Sequence, residues 1–184
     1  MKINYIGVVA TVIAFISLAL PWWTMTTSAE AIGIKVSADV SVYPHQARAS
    51  AMGVARTVAM ELWFGWVALA LIVIAGVTGI VGSVIIGKTG KMILIVAGIL
   101  TLLFILIFAA GLQNELSKAA PVPGLPTVGL FSSGSWTFMG TTMDYSTYLS
   151  FGFWLALVAA IIAFISLLKH LMAPPEAPPT PKSR

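Results

Sequence analysis

Cysteine is absent from this 184-residue chain. Without cysteine, no disulfide can fasten a loop outside the cytoplasm. Thiol chemistry and cysteine-held iron–sulfur clusters are excluded for the same reason. Any folded segment outside the apolar stretches must therefore be held by packing and hydrogen bonds.

Charged side chains are also scarce, at 9% of the residues. A soluble domain carries about 25% charged residues. Hydrophobic residues make up 59% of the chain, and the mean hydropathy is +0.99. These values predict an integral membrane protein, and the length excludes a separate soluble catalytic domain beside the apolar stretches.

Four apolar stretches, at residues 4–23, 62–87, 92–112 and 148–168, approach or exceed the length that a helix needs to cross a bilayer. They are too long and too uniformly apolar to be the strands of a barrel. The sequence therefore predicts an all-α integral membrane protein, a four-helix transmembrane bundle with both termini cytoplasmic. A small extracellular antiparallel β-sheet is expected from the two outer loops.

The predicted boundaries make residues 1–172 one domain. The predicted segments are helices at about 4–23, 56–87, 91–113 and 147–169, outer loops at 24–55 and 114–146, and a Pro-rich cytoplasmic tail at 173–184. An alternative for the first stretch is a signal peptide, with small residues at Thr27, Ser28 and Ala29 where cleavage could occur.

Basic residues predict the orientation. Six of the ten Lys and Arg fall in three short segments on one side: Lys2, Lys88, Lys91, Lys169, Lys182 and Arg184. By the positive-inside rule that side is cytoplasmic, and the chain is expected to be a multi-pass protein of the plasma membrane. No basic stripe interleaved with aromatic residues suggests nucleic-acid binding.

The outer loops carry strand and hairpin patterns. From Ile32 to Tyr43 apolar and polar residues alternate, which predicts a strand. Two runs flank Ser132, Ser133 and Gly134, which predicts a hairpin turn there, whereas residues 45–60 have helical composition. The residues expected to form the contact surface of the sheet are Ile34, Val36, Val40, Val42, Phe131, Trp136 and Phe138.

Small residues recur every four positions along the second stretch, at Ala75, Gly79, Ser83 and Gly87. This spacing allows close approach of another helix. The partner is either a helix of the same chain or a second copy, and packing within the chain is favoured.

Tryptophans lie near the predicted ends of the first two helices. Trp22, Trp23, Trp63 and Trp66 are interpreted as membrane-interface anchors, because indole rings concentrate at headgroup depth. Contact with a quinone or a specific lipid is the less favoured alternative.

Groups that carry chemistry are sparse. The four stretches contain no ionisable residue of the kind that marks a proton or ion pathway. His45 and His170 lie outside them, so paired axial haem ligands are missing. Neither a metal-binding spacing nor a nucleophile elbow occurs. We therefore expect no enzyme activity, cofactor or metal, with membrane lipids and other membrane subunits or further copies as partners.

The end of the first stretch, Leu20-Pro21-Trp22-Trp23, resembles a motif of the claudin and PMP22-like tetraspan family. In that family a Leu-Pro-x-Trp sequence leads into the first extracellular strand. Arg56, ahead of the second helix, also lies where the family often has an arginine. The topology is similar over nearly the whole chain.

The resemblance implies a non-catalytic protein whose outer sheet makes contacts while its helices hold it in the bilayer. The first hypothesis is thus a structural or scaffold protein, or an accessory subunit of a larger membrane assembly. The alternative is an oligomeric channel or transporter whose pore forms between subunits. A third hypothesis is a membrane redox or lipid enzyme that borrows a partner's cofactor.

Overall fold

A computed structural model of the chain describes residues 5–31, 34–58, 62–85, 88–118, 128–138 and 140–172. In chain order the elements are α1 (Tyr5–Leu18), β1 (Trp23–Ala31), β2 (Ile34–Tyr43), β3 (Gln46–Ala51), β4 (Val54–Val58), α2 (Trp63–Val84), α3 (Lys88–Lys118), β5 (Ser132–Phe138), β6 (Thr141–Leu149) and α4 (Phe151–Met172). The predicted tail, residues 173–184, lies outside the described residues.

The predicted all-α fold class is wrong, because six strands form one antiparallel sheet beside the four helices. The prediction of four transmembrane helices is wrong as well. Among the residues that the structure describes, only α2, with 22 residues, and α3, with 31, are long and apolar enough to cross a membrane. The protein is therefore a mixed structure in which a helical part carries a substantial β-sheet.

Helix α1 is shorter than its apolar stretch predicts. It ends at Leu18, three residues before Pro21, which cannot donate a helical hydrogen bond. Its 14 residues rise about 21 Å at about 1.5 Å each, less than the roughly 30 Å of hydrocarbon in a bilayer. The remaining apolar residues, through Trp23, leave the helix and lead into β1.

Helices α2 and α3 form an antiparallel hairpin, and α1 packs against α2 and α4 while α4 also packs against α3. Glycine permits the close contact between α2 and α3. A Cβ atom built on Gly82 would lie 3.0 Å from Cγ of Leu94 and 3.1 Å from its backbone nitrogen. Helix α3 runs from Lys88 to Lys118 and so extends beyond the predicted range of 91–113.

The sheet has the strand order β4-β3-β2-β1-β6-β5. Strands β1 to β4 come from the segment between α1 and α2, and β5 and β6 from the segment between α3 and α4. The two segments pair through β1 and β6, where Trp23 lies opposite Leu149. Strands from both segments thus form one sheet, as expected, at the end of the helices away from the α2–α3 turn.

The two faces of the sheet differ in polarity because successive side chains of a strand point to opposite sides. Trp23, Val42, Ala47 and Leu149 share one cross-strand row and are buried. They belong to the same core as Leu112 of α3. The opposite face carries mainly serine and threonine, so the apolar face is the one turned toward the helices.

Residues 45–60, predicted as helical, contain β3 and β4 instead. The hairpin turns at Met52 and Gly53, whose φ angles are 52° and 79°. Two consecutive residues with positive φ are typical of the tight turns that match the twist of a hairpin. Helix α2 consequently begins at Trp63 rather than near residue 56.

The hairpin predicted in the second loop exists, but its turn was misplaced. Ser132, Ser133 and Gly134 lie inside β5, and the reversal falls at Gly140, with a φ of 80°. Since Phe138 pairs with Thr141, only two residues connect β5 and β6. The strands of this hairpin are therefore longer than predicted, and the connection between them is shorter. Helix α4 begins at Phe151, directly after β6.

Candidate interaction surfaces

Trp22 is the centre of the junction between the sheet and the helices, and it is fully buried. Its ring lies 5.6 Å from Phe104 and 4.7 Å from Phe108 of α3, and 6.1 Å from Phe153 of α4. The indole Nε1 donates a hydrogen bond of 2.9 Å to the carbonyl oxygen of Ser17 at the end of α1. One side chain thus connects three helices where the chain enters the sheet.

Backbone hydrogen bonds reinforce this junction. The nitrogen of Trp22 donates to the carbonyl of Val42 at 2.8 Å, and the nitrogen of Ser150 donates to the carbonyl of Trp22 at 2.9 Å. The nitrogen of Gly152 donates to the carbonyl of Pro21 at 2.8 Å. The first turn of α4 therefore has partners for amide groups that would otherwise be unsatisfied at a helix start.

Trp22 and Trp23, predicted as membrane-interface anchors, are buried, with exposed fractions of 0% and 3%. The ring of Trp22 lies in the core against Phe104, Phe108 and Phe153, and Trp23 lies in the buried row with Val42 and Leu149. Among the described residues, Nε1 of Trp23 has no hydrogen-bond acceptor. These two residues support the junction between sheet and helices.

Trp63 and Trp66 have the geometry expected of anchors. They lie in the first turn of α2, next to the sheet, with exposed fractions of 58% and 59%. Phe151 and Trp154 occupy the corresponding first turn of α4 and are also exposed, and Nε1 of Trp154 donates to the carbonyl of Leu149 at 3.0 Å. Phe151 was not singled out from the sequence, although its place just after a strand end was the available signal.

Exposed apolar side chains continue along the outside of the helices below this aromatic level. Large hydrophobic residues that are exposed on the helices include Val9, Val12, Ile16, Val73, Val77, Ile80, Ile99, Leu102, Leu106, Val158, Ile161 and Ile165. Such an extended apolar surface is unfavourable in water, and soluble monomers rarely show one. It is the surface that a lipid environment would cover.

The small residues of α2 are buried inside the chain. Ala75, Gly79 and Ser83 are all buried, and a Cβ atom on Gly79 would lie 3.0 Å from Oγ1 of Thr11 and 4.0 Å from Cβ of Ala97. The row therefore packs against α1 and α3, as the favoured alternative expected. Gly87, the last residue of the predicted row, lies outside the described residues.

A narrow cavity lies among the four helices where these small residues meet. Its lining is mostly glycine and alanine, with two threonines, Thr11 and Thr101. Their hydroxyls donate to carbonyl oxygens of their own helices, Gly7 at 3.0 Å and Ala97 at 2.7 Å. The lining therefore presents no ionisable group and no unused hydroxyl proton to a polar solute.

Most of the predicted contact residues of the sheet lie on its inner face. Val42 is buried and Val36 and Val40 are half-buried, while Trp136 is half-buried with its ring 5.7 Å from Tyr145. Ile34 and Phe138 occupy the first position of β2 and the last of β5. Phe131 alone, with 62% of its area exposed, is placed on the surface among the residues of this set whose side chains are described.

The alternating apolar residues of the strands were predicted to contact a partner. The face that they form packs mainly against the chain's own core. The surface available to a partner is instead the opposite face and the two edges of the sheet. One row of the opposite face, for example, contains Ala55, Ser50, Asp39, Thr26, Ser146 and Ser133.

A hydroxyl network holds the start of β5 in place. Oγ1 of Thr147, which is buried, accepts a hydrogen bond from the nitrogen of Ser132 at 2.8 Å and lies 2.9 Å from its Oγ. The same hydroxyl is 2.9 Å from the carbonyl oxygen of Gly129. The amide oxygen of Gln113 accepts from the nitrogen of Leu130 at 3.3 Å. The outer edge of the sheet is thus fixed to β6 and α3.

Within the part of the chain that the structure describes, no group of three or more His, Asp or Glu residues is arranged to hold a metal ion. The one described ion pair joins Lys118 and Glu115 at 3.0 Å on the surface of α3. No protein-family model and no curated protein sequence matches the chain. The resemblance to claudin-like tetraspans therefore stays a prediction from the short motif.

Proposed function

We propose that this chain is a non-catalytic, multi-pass protein of the plasma membrane that serves as a structural or accessory subunit of a larger assembly. Its helices hold it in the bilayer, and its sheet makes the contacts with other subunits. The observation that carries the proposal is the six-stranded sheet mounted on apolar helices, with one polar face and two edge strands left unpaired by the described residues.

The membrane part of the proposal is supported by how little of α2 and α3 is covered. In each helix only 39% of the most apolar window is buried inside the chain. A core helix of a soluble protein of the same apolarity would be mostly buried, because exposed apolar surface costs about 25 cal/mol per Å². Helices α1 and α4 pack on this hairpin and have exposed apolar residues of their own.

The orientation follows from charge. Lys88 and Lys91 begin α3 at the end away from the sheet, where basic residues favour the cytoplasmic side. The sheet then lies outside, with Trp63, Trp66 and Trp154 at the level of the headgroups. This arrangement places every strand in water and leaves the exposed apolar side chains of the helices to lipid.

The assembly part of the proposal is tested by native mass spectrometry of the protein extracted in the mildest detergent that solubilises it. We expect a species much heavier than one 19.4 kDa chain, containing other membrane subunits or further copies. A monomer with no co-purifying chain would contradict the proposal. Conductance across reconstituted bilayers would instead favour the alternative of a pore between subunits.

A further inference from the structure

The two edge strands of the sheet are complementary in direction. Because six strands alternate in direction, β4 runs toward the helices while β5 runs away from them. Two copies standing upright in one membrane, side by side, would therefore bring β4 of one against β5 of the other in antiparallel orientation. A sheet with an odd number of strands could not do this without inverting one copy.

The levels of the two edges also match. A continuous row of cross-strand partners runs from Ala55 on β4 to Ser133 on β5. The next row toward the helices runs from Arg56 to Ser132 through the same strands. Residues of one row lie at the same distance from the helices on both edges of the sheet. Two copies at the same height in the membrane would therefore have these residues opposite one another, and the polar faces of the two sheets would be continuous.

Exposed apolar side chains of the sheet concentrate at its edges. Val54, with 59% of its area exposed, begins β4, and Met52, with 79%, lies in the turn before it. Phe131 lies immediately before β5. Tyr148, the other large hydrophobic residue exposed among the described strands, is on β6 beside Phe131. Unprotected edges with apolar side chains are templates for pairing with another chain.

Charge favours contact between unlike edges over contact between like ones. The hairpin of β3 and β4 carries Arg48 and Arg56 and no acidic residue. The hairpin of β5 and β6 carries Asp144 and no basic residue. Two β4 edges would repel each other, whereas a β4 edge and a β5 edge attract.

We infer that copies of this chain associate edge to edge, with β4 of one copy hydrogen-bonded to β5 of the next in a sheet that continues from subunit to subunit. The inference rests on the proposed function, since it names the partner as a second copy. A head-to-tail contact of this kind leaves one free edge at each end, so it produces chains or rings rather than a closed dimer.

The absence of cysteine makes the contact directly testable by disulfide cross-linking in native membranes. The double variant A55C/S133C places one thiol on each edge, at exposed positions of the same row. Within one copy the two positions are separated by five strand spacings, about 24 Å along the sheet at about 4.8 Å each. A disulfide requires Cα atoms within about 7 Å, so any cross-link joins two copies.

We expect mild oxidation of A55C/S133C to give a ladder of dimers, trimers and larger species on a non-reducing gel. The single variants A55C and S133C can reach a dimer at most. The matched control S37C/S133C moves one thiol to an exposed position on the inner strand β2 and should give no ladder.

Two further variants, A55C/F131C and A55C/S135C, shift the second thiol by two residues to either side of Ser133. The inference is overturned if none of the three double variants forms more cross-linked species than the control. Native mass spectrometry of these variants then separates the two claims. A heavy assembly without edge cross-links refutes edge pairing alone, whereas a monomer refutes the proposed function as well.

Discussion

Replacement of the buried tryptophan at the junction, Trp22→Ala, should destabilise the protein strongly. Its ring is fully buried against Phe104, Phe108 and Phe153, and its Nε1 donates to Ser17. Truncation of such a side chain costs about 3 to 5 kcal/mol through lost burial and a residual cavity. At about 2 to 4 °C per kcal/mol for a chain of this size, the midpoint of thermal unfolding should fall by roughly 6 to 20 °C.

The chain offers a matched control in Trp63→Ala. The same side chain is removed there from a position with 58% of its area exposed. No core cavity is left, so the unfolding midpoint in detergent should change by less than about 2 °C, in line with about 0.5 kcal/mol for an exposed position. Both variants are purified in the same detergent and followed by far-ultraviolet circular dichroism, which does not depend on tryptophan fluorescence.

The buried position of Trp22 is inconsistent with equal shifts in the two variants and with a larger shift for Trp63→Ala. Either result would mean that Trp22 is not enclosed by α3 and α4 as described. An intermediate variant, Trp22→Phe, keeps most of the ring volume but removes the bond to Ser17. Its loss should be close to the 0.5 to 1.5 kcal/mol of a typical hydrogen bond, plus a smaller packing term.

Three other substitutions, the first with a matched control, test separate contacts. Gly152→Ala should impair folding, because the added Cβ would contact the ring of Trp22 and lie 2.7 and 2.8 Å from two backbone carbonyl oxygens. Its control, Gly98→Ala, should be tolerated, because a Cβ there has nothing within 4 Å. Similar expression and melting of the two variants would contradict this expectation. Thr147→Val should lower stability by about 1 to 3 kcal/mol by removing the hydroxyl network at β5, and an unchanged denaturation midpoint would count against it. Gly79→Leu should disrupt packing of α2 on α1 and α3, and unaltered thermal stability would show that the row is not a close contact.

The strand β2 was predictable because its signal is local. Val36, Val40 and Val42 alternate with polar residues, and this period belongs to a strand whose two faces meet different surroundings. The structure confirms a strand at Ile34–Tyr43. The alternation does not show which part of the chain packs with the apolar face. Leu112 of α3, which belongs to the same core as Val42, is some 70 positions away from it in the sequence.

The strand β3 was missed because alanine favours helices when nothing else decides. Ala47, Ala49 and Ala51 nevertheless alternate with Arg48 and Ser50, and this period of two was the available signal. Pairing with β2 buries Ala47 in the sheet, and that tertiary contact outweighs the helix propensity of a few tenths of a kcal/mol per residue.

The candidate surface was predicted less well than the strands. A tryptophan after a helix end and a proline is typical of a headgroup anchor, yet Trp22 is enclosed by Phe104, Phe108 and Phe153 from distant parts of the sequence. Nothing local distinguishes it from the exposed Trp63. Tertiary packing decides which tryptophans are exposed, and it also decides which surfaces of the sheet are exposed.

In the proposed orientation, apolar helices hold the sheet on the outer side of a membrane, with the α2–α3 turn on the other side. Labelling of single cysteines in intact cells with a membrane-impermeant maleimide tests this orientation, in the variants S133C on β5 and T89C beside the turn. Both positions are exposed. We expect S133C to react at once and T89C only after the membrane is permeabilised. Equal labelling of both variants in intact cells would contradict this orientation, and recovery of the protein in the soluble fraction would contradict its membrane location.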